Sequence, residues 1–224
     1  MTRPRIALVH ALRESLQPVW DSFAALWPEA EYFNLLDDSL SVDREREGRL
    51  TPEIEQRFLT LGRYVAGNTS GGRATKAILF TCSAFGPAID AVKRDLKIPV
   101  LRPNEAAFEA ALARGSNIGL MVTFGPSLNS LSDELRGMAE ARGKSITIEG
   151  RLVEGALAAI QSGDRATHDR LIAEAIAKMP KVDGIVLGQF SMASAAKVCA
   201  PALKQNLLTT PDAAVTRLKA LMSQ

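Results

Sequence analysis

The chain has 224 residues, 46% of them hydrophobic and 23% charged, enough to bury a core and build one or two domains. Its formal net charge is only +2 and its basic residues are interspersed with acidic ones, so nothing points to nucleic acid as a partner, while a small anionic ligand stays open. No apolar run nears the roughly 20 residues that cross a bilayer, MTRPRIALVHAL carries no secretion signal, and CxxC and HExxH are absent; a soluble cytoplasmic protein with no membrane contact, metal or cofactor is expected.

Short β-branched or leucine-rich runs alternate with longer, alanine-rich amphipathic segments, the pattern of a parallel sheet covered by helices. The predicted strands are 5–10, 31–35, 76–81, 117–122, 145–148, 184–188 and 206–208. His10 closes the first of them. At a strand end it either binds an anion, moves a proton, or is a satisfied histidine of the fold. Residues 37–50 (DDSLSVDREREGRL) are polar and mixed in charge and read as a long exposed loop; a lid over a site and a merely solvated connection fit equally well. Thr51 before Pro52 and Glu53 opens a helix, because threonine caps free amides while proline is pre-set for the first turn. Asn104 before Glu105, Ser127 after Pro126, and Thr210 before Pro211 and Asp212 give the same signal.

Cys82 stands in TCSAFGP, between the strand 76–81 and a helix that must begin near Gly86 or Pro87. Amides at such a start favour a thiolate and so lower a thiol's pKa, and they can also hold a carboxylate. An inert thiol filling a strand end accounts for the spacing as well. Thr123 and Phe124 follow the strand 117–122, and Thr123 and Ser127 are candidate donors to a carboxylate, though capping alone explains Ser127. His168, in THD with Thr167 as cap, reads as structural or solvent-facing. Gln189 follows the strand 184–188, and Ser191, two residues on, has the same ambiguity as Ser127. Cys199 lies in SMASAAKVCAPAL at a spacing that turns it toward the core. No GxGxxG follows the first strand, and GxxxxGK[ST] and GxSxG are absent.

An internal repeat organises these segments. AILFTCSAFGPAIDAVKRDLKIPVLRPNEAA overlays GIVLGQFSMASAAKVCAPALKQNLLTTPDAA at a constant offset of 107 residues, Ala77 on Gly184, with one extra residue near the end. Each copy reads as strand, tight loop, small-residue helix, short strand, then a helix start. IALVH from Ile6 echoes IGLMV from Ile118. The expected architecture is α/β, with two pseudo-symmetric parallel-sheet lobes of Rossmann or flavodoxin type: 1–102 plus 206–224, and 103–205. Cys82 corresponds to Gln189, each at the carboxyl end of a strand, where open α/β sheets bind ligands; the active site is expected in the cleft between the lobes.

The TCSAFG motif, the FNLLDDSLS segment, the DGIVLG run before Gln189 and the overall length resemble the aspartate/glutamate/hydantoin racemase superfamily, with its maleate isomerase and arylmalonate decarboxylase branches, over nearly the whole chain. The resemblance implies a cofactor-independent racemase or isomerase of a small carboxylate or amino acid. It implies that Cys82 removes the proton beside the carboxylate, and that the chain forms a homodimer or higher homo-oligomer. In the superfamily a second cysteine returns a proton on the opposite face. Gln189 stands at that position and has no useful proton to transfer, which leaves two-base racemisation without its second acid.

Several chemistries remain open. One is decarboxylation of an activated malonate, although the lone cysteine of that branch corresponds to the second half's position. Another is nucleophilic addition of Cys82 to an unsaturated acid. A third is racemisation with His10, Ser191 or water as a weak second acid. From a different class, a degenerate protein would bind a carboxylate without turning it over. In every enzyme case negative charge develops on a carboxylate or enolate, and Ser83, Ala84, Thr123, Phe124, Phe190 and Ser191 are placed by sequence to line its site.

Overall fold

The first strand, β1 (Arg5–His10), is buried at all six positions, as a central parallel strand covered on both faces must be. In the computed structural model, which describes residues 3–223, a short turn leads from it into α1 (Leu16–Leu26) and β2 (Glu31–Leu36). Then follow α2 (Ser39–Glu47), α3 (Pro52–Ala66), β3 (Thr69–Ser70), β4 (Arg73–Phe80), α4 (Gly86–Asp95) and β5 (Val100–Leu101). The order β2-β1-β4-β5 is parallel throughout, and only the two-residue β3 lies antiparallel on the start of β4. Thr51 caps α3 as expected, its side chain accepting from Ile54 N at 3.3 Å.

The segment 37–50 is not a loop. Its middle is α2, closed by Gly48 in the left-handed region (φ 64°) that a side chain would strain. Leu40 is its only buried residue, so no apolar period marks the helix in the sequence. Tertiary bonds hold it instead. Arg57 of α3 donates to Asp37 (2.8 Å) and Asp43 (2.6 Å), and the Ser41 hydroxyl donates to the Ala11 carbonyl.

The second unit repeats the plan with α5 (Glu105–Arg114), β6 (Asn117–Val122), α6 (Gly125–Glu140), β7 (Thr147–Leu152), α7 (Ala156–Gln161), α8 (Arg165–Ala177) and β8 (Gly184–Leu187). It is completed by α9 (Ala195–Val198), α10 (Pro201–Lys204), β9 (Leu207–Thr209) and the start of α11 (Thr210–Met222). Its order, β7-β6-β8-β9, is again fully parallel, and both units are therefore parallel-sheet α/β structures. The units comprise Met1–Pro103 with Ala214–Gln224, and Asn104–Ala213. Residues 206–213, grouped on sequence with the first lobe, belong to the second because β9 hydrogen-bonds to β8.

The small-residue helix expected after Gln189 is broken into a 3-10 turn (Phe190–Ser194) and the two short helices α9 and α10. Cys199 and Ala200 are both extended (ψ 149° and 143°) between α9 and α10, and at Ala200 the ring of Pro201 excludes the helical conformation. Asp164 rather than Thr167 caps α8, and His168 is fully buried with Nδ1 2.7 Å from Asp169 Oδ1. Among the described residues no helix is long and apolar enough to cross a membrane.

Candidate active site

In each unit the chain leaves its central strand to one side for the next strand and then returns to pair on the other side. Such a reversal opens a crevice at the carboxyl ends of the two central strands, where ligands of open α/β sheets bind. The crevice of the first unit lies between β1 and β4, and that of the second between β6 and β8. His10 is the last residue of β1, and Thr81 and Cys82 directly follow β4. The sequence-selected residues His10, Cys82, Ser83 and Ala84 therefore gather at one crevice.

His10 is fully buried and both ring nitrogens are engaged. Nε2 lies 3.1 Å from Asn34 Oδ1, which also accepts from the Trp20 indole N–H at 2.9 Å. An indole N–H can only donate, so that atom is the amide oxygen and Nε2 must carry the imidazole proton. Nδ1 is then an acceptor, facing the Thr81 hydroxyl at 2.8 Å and the Ser15 hydroxyl at 3.0 Å. Burial lowers the pKa to about 4, outweighing the Asn34 hydrogen bond that raises it. His10 thus fastens the end of β1 to Thr81, and it lines the same hollow as Cys82. Asn34, Ser15, Thr81 and Trp20 escaped the sequence reading because no spacing motif links four distant polar side chains.

A pH signature follows. A histidine kept neutral contributes stability that is complete above its unfolded pKa near 6.5 and is lost as pH falls through about 4. Unfolding free energy measured across that window is expected to fall by up to about 3 kcal/mol more in the wild type than in His10→Gln. Equal slopes would show that His10 is not the residue held neutral.

Cys82 is half-buried and precedes a 3-10 turn, Ser83–Phe85, that enters α4. Its thiol is pushed up to about 11 by burial, against a weaker lowering by the Ala84 amide. The expectation of a thiolate favoured by helix-start amides is overturned: one amide reaches the sulfur, but an apolar hollow lies behind it. Val9, Ala11, Leu40, Phe58 and Phe80 line that hollow with Cys82, and His10 is its one ionisable side chain besides the thiol. Phe58 packs on Phe80 and Phe85 with ring centroids 5.3 and 4.8 Å away. Leu40 and Phe58 come from α2 and α3, so sequence order alone could not bring them here. Ser83 and Ala84 are half-buried beside the thiol.

In the second unit the sequence-selected residues gather at the other crevice. Gln189 Oε1 accepts from Thr123 N at 2.6 Å and from the Thr123 hydroxyl at 2.8 Å, tying the end of β8 to the end of β6. Gly188 permits this approach, since a Cβ there would lie 3.0 Å from the Met121 carbonyl and 2.9 Å from Leu131 Cδ1. Phe124 and Ser191 are half-buried, whereas Phe190 is buried and offers only its backbone. Ser127 lies inside α6 with Phe124 at the N-cap, so it is not a cap. Cys199 is buried, its thiol donating to the Ala195 carbonyl at 3.2 Å.

A family model described as Asp/Glu/Hydantoin racemase matches residues 62–218. No curated protein matches the chain by sequence. Glutamate racemase isoform RacE1 from Bacillus anthracis superposes with a TM-score of 0.70 at 15% identity, over 100% of this chain and 83% of that one. Allantoin racemase from Klebsiella pneumoniae gives 0.70 at 17%, over 98% and 88%. A point mutant of arylmalonate decarboxylase in its sulfate-associated form gives 0.62 at 17%, over 94% and 89%.

Proposed function

The chain belongs to the Asp/Glu/hydantoin racemase family, and on that premise we propose that it is a cofactor-independent racemase or isomerase of a small carboxylate or amino acid, with Cys82 moving the proton on one face. The observation that carries this reading is the position of Cys82: a half-buried thiol at the carboxyl end of β4, in the crevice of the first sheet, with the Ala84 amide on its sulfur. In the exchange step the Cys82 thiol first gives its proton to solvent. The thiolate Sγ then takes the α-proton, and the electron pair is left on the α-carbon and its carboxylate as an enolate. The thiol, after exchanging its proton with solvent, returns one to the same face of that carbon. Stabilising that enolate falls to backbone amides and hydroxyls such as those of Ser83 and Ala84.

The resemblance puts Gln189 where relatives carry their second acid, so return of the proton to the opposite face is slow in this reading. Incubation in deuterated water with aspartate, glutamate, maleate, hydantoin and substituted malonates tests it. The expected result is α-deuteration of one panel member outpacing its loss of optical rotation. If no panel member exchanges, isomerises or loses carbon dioxide while one still binds, the chain is a carboxylate-binding protein.

One observation favours a second reading. A thiol held protonated at neutral pH is better prepared to deliver a proton than to take one. In decarboxylation of an activated malonate, the substrate's C–C bond breaks to carbon dioxide and an enolate, Sγ–H gives its proton to the α-carbon, and solvent reprotonates the thiolate. Carbon dioxide release with a single product hand identifies this reaction.

A further inference from the structure

We propose that Gln189 is a fixed hydrogen-bond donor that reads a carboxylate or carbonyl oxygen of the substrate, and that Thr123 is the positioning residue that fixes it. The inference rests on the functional reading above, because the acid it concerns is the one proposed there.

The orientation of the Gln189 amide follows from its partner. A backbone N–H can only donate, so the atom 2.6 Å from Thr123 N must be the amide oxygen. The Thr123 hydroxyl donates to the same oxygen at 2.8 Å. With the oxygen doubly held, Nε2 is turned the other way, and among the described residues no acceptor takes either of its protons. The side chain is only half-buried, so those protons are available to a ligand.

The place is independently one where a ligand is expected. Gln189 and Thr123 stand at the carboxyl ends of the adjacent strands β8 and β6, on either side of the crevice that the strand order β7-β6-β8-β9 opens. An oriented NH2 offers two donors, no acceptor and no charge. It therefore selects an acceptor oxygen and is indifferent to an ammonium group. It also cannot exchange a proton with carbon, so Gln189 contributes recognition and orientation only.

The test compares wild type, Gln189→Glu, Gln189→Ala, Thr123→Val and Thr123→Ser, each checked for a native circular dichroism spectrum. Calorimetric affinity is measured for aspartate, glutamate, maleate and methylmalonate, and α-exchange is followed in parallel. Gln189→Glu can still accept both Thr123 bonds but presents an anionic oxygen in place of NH2. For the tightest acid, affinity is expected to fall by about tenfold or more in Gln189→Glu, with a smaller loss in Gln189→Ala. Thr123→Val is expected to weaken binding by about threefold and Thr123→Ser to restore it.

A merely structural glutamine reverses the first comparison, because the isosteric glutamate keeps the Thr123 bonds that alanine loses. Affinity in Gln189→Glu equal to or above that in Gln189→Ala overturns the donor role while leaving wild-type exchange, and hence the functional reading, intact. A wild type that binds none of the four acids overturns the donor role, and the functional reading falls with it when no compound, hydantoin included, undergoes exchange.

Discussion

Cys82→Ser is expected to lower α-deuterium exchange by on the order of 10³-fold, while affinity for the same acid stays within about threefold. The hydroxyl is close in size to the thiol, so the half-buried position is still filled and the neighbouring Ala84 amide still finds an acceptor. What is lost is a group whose proton can be moved at an accessible pH. Burial already holds the Cys82 thiol near 11, and a serine hydroxyl ionises far less readily still. The control is Cys199→Ser, because the Cys199 thiol is buried against the Ala195 carbonyl and has no part in the proposed chemistry. Exchange that survives Cys82→Ser would remove the thiol from the mechanism and leave only the family membership standing.

The largest effect on stability should come from Phe58→Ala, at about 3–5 kcal/mol by urea unfolding, with Phe58→Leu recovering most of it. Phe58 is 2% exposed and joins three parts of the first unit: α3, on which it sits, Phe80 at the end of β4, and Phe85 of the turn after Cys82. Truncating it opens a space that stiff neighbouring strands cannot close, so the cavity cost adds to the lost transfer energy. The same space adjoins the hollow behind Cys82. Alkylation of Cys82 by iodoacetamide should therefore quicken in Phe58→Ala, as the wall that desolvates the thiol is removed. A stable Phe58→Ala protein with unchanged Cys82 reactivity would mean that the aromatic cluster does not support the site.

Both crevices are bridged by a side-chain hydrogen bond between the two central strands, His10 with Thr81 in the first unit and Thr123 with Gln189 in the second. The chemistry of the two bridges differs. His10 has both nitrogens committed and is held neutral, so its bridge is a fastening. Gln189 commits only its oxygen, so its bridge also aims a donor.

Much of this was legible in the linear chain. The alternation of short apolar strands with amphipathic helices declares a parallel α/β architecture because burial on both faces demands continuous apolar runs, and β1 and β8 show them. The internal repeat anticipated two sheets of the same strand order. It also placed Cys82 and Gln189 just after strands, since a strand's end is a local property. The helix α2 was illegible because a helix with one buried residue has no period to read, its stability residing in Arg57 and in a bond to Ala11.

By itself, then, the sequence determined the fold class, the ends of β1, β4, β6 and β8 to within about a residue, and the residue types that stand there. The end of β7 lies beyond the expected 145–148. Only the tertiary structure decided their physical state: that His10 is neutral, that the thiol of Cys82 is raised rather than lowered, and that the amide of Gln189 faces one way. Strand and helix signals are carried by residues a few positions apart. Protonation and orientation depend instead on desolvation and hydrogen bonds from residues distant in the chain, such as Asn34 on His10, Phe58 behind Cys82 and Thr123 on Gln189, which no local pattern encodes.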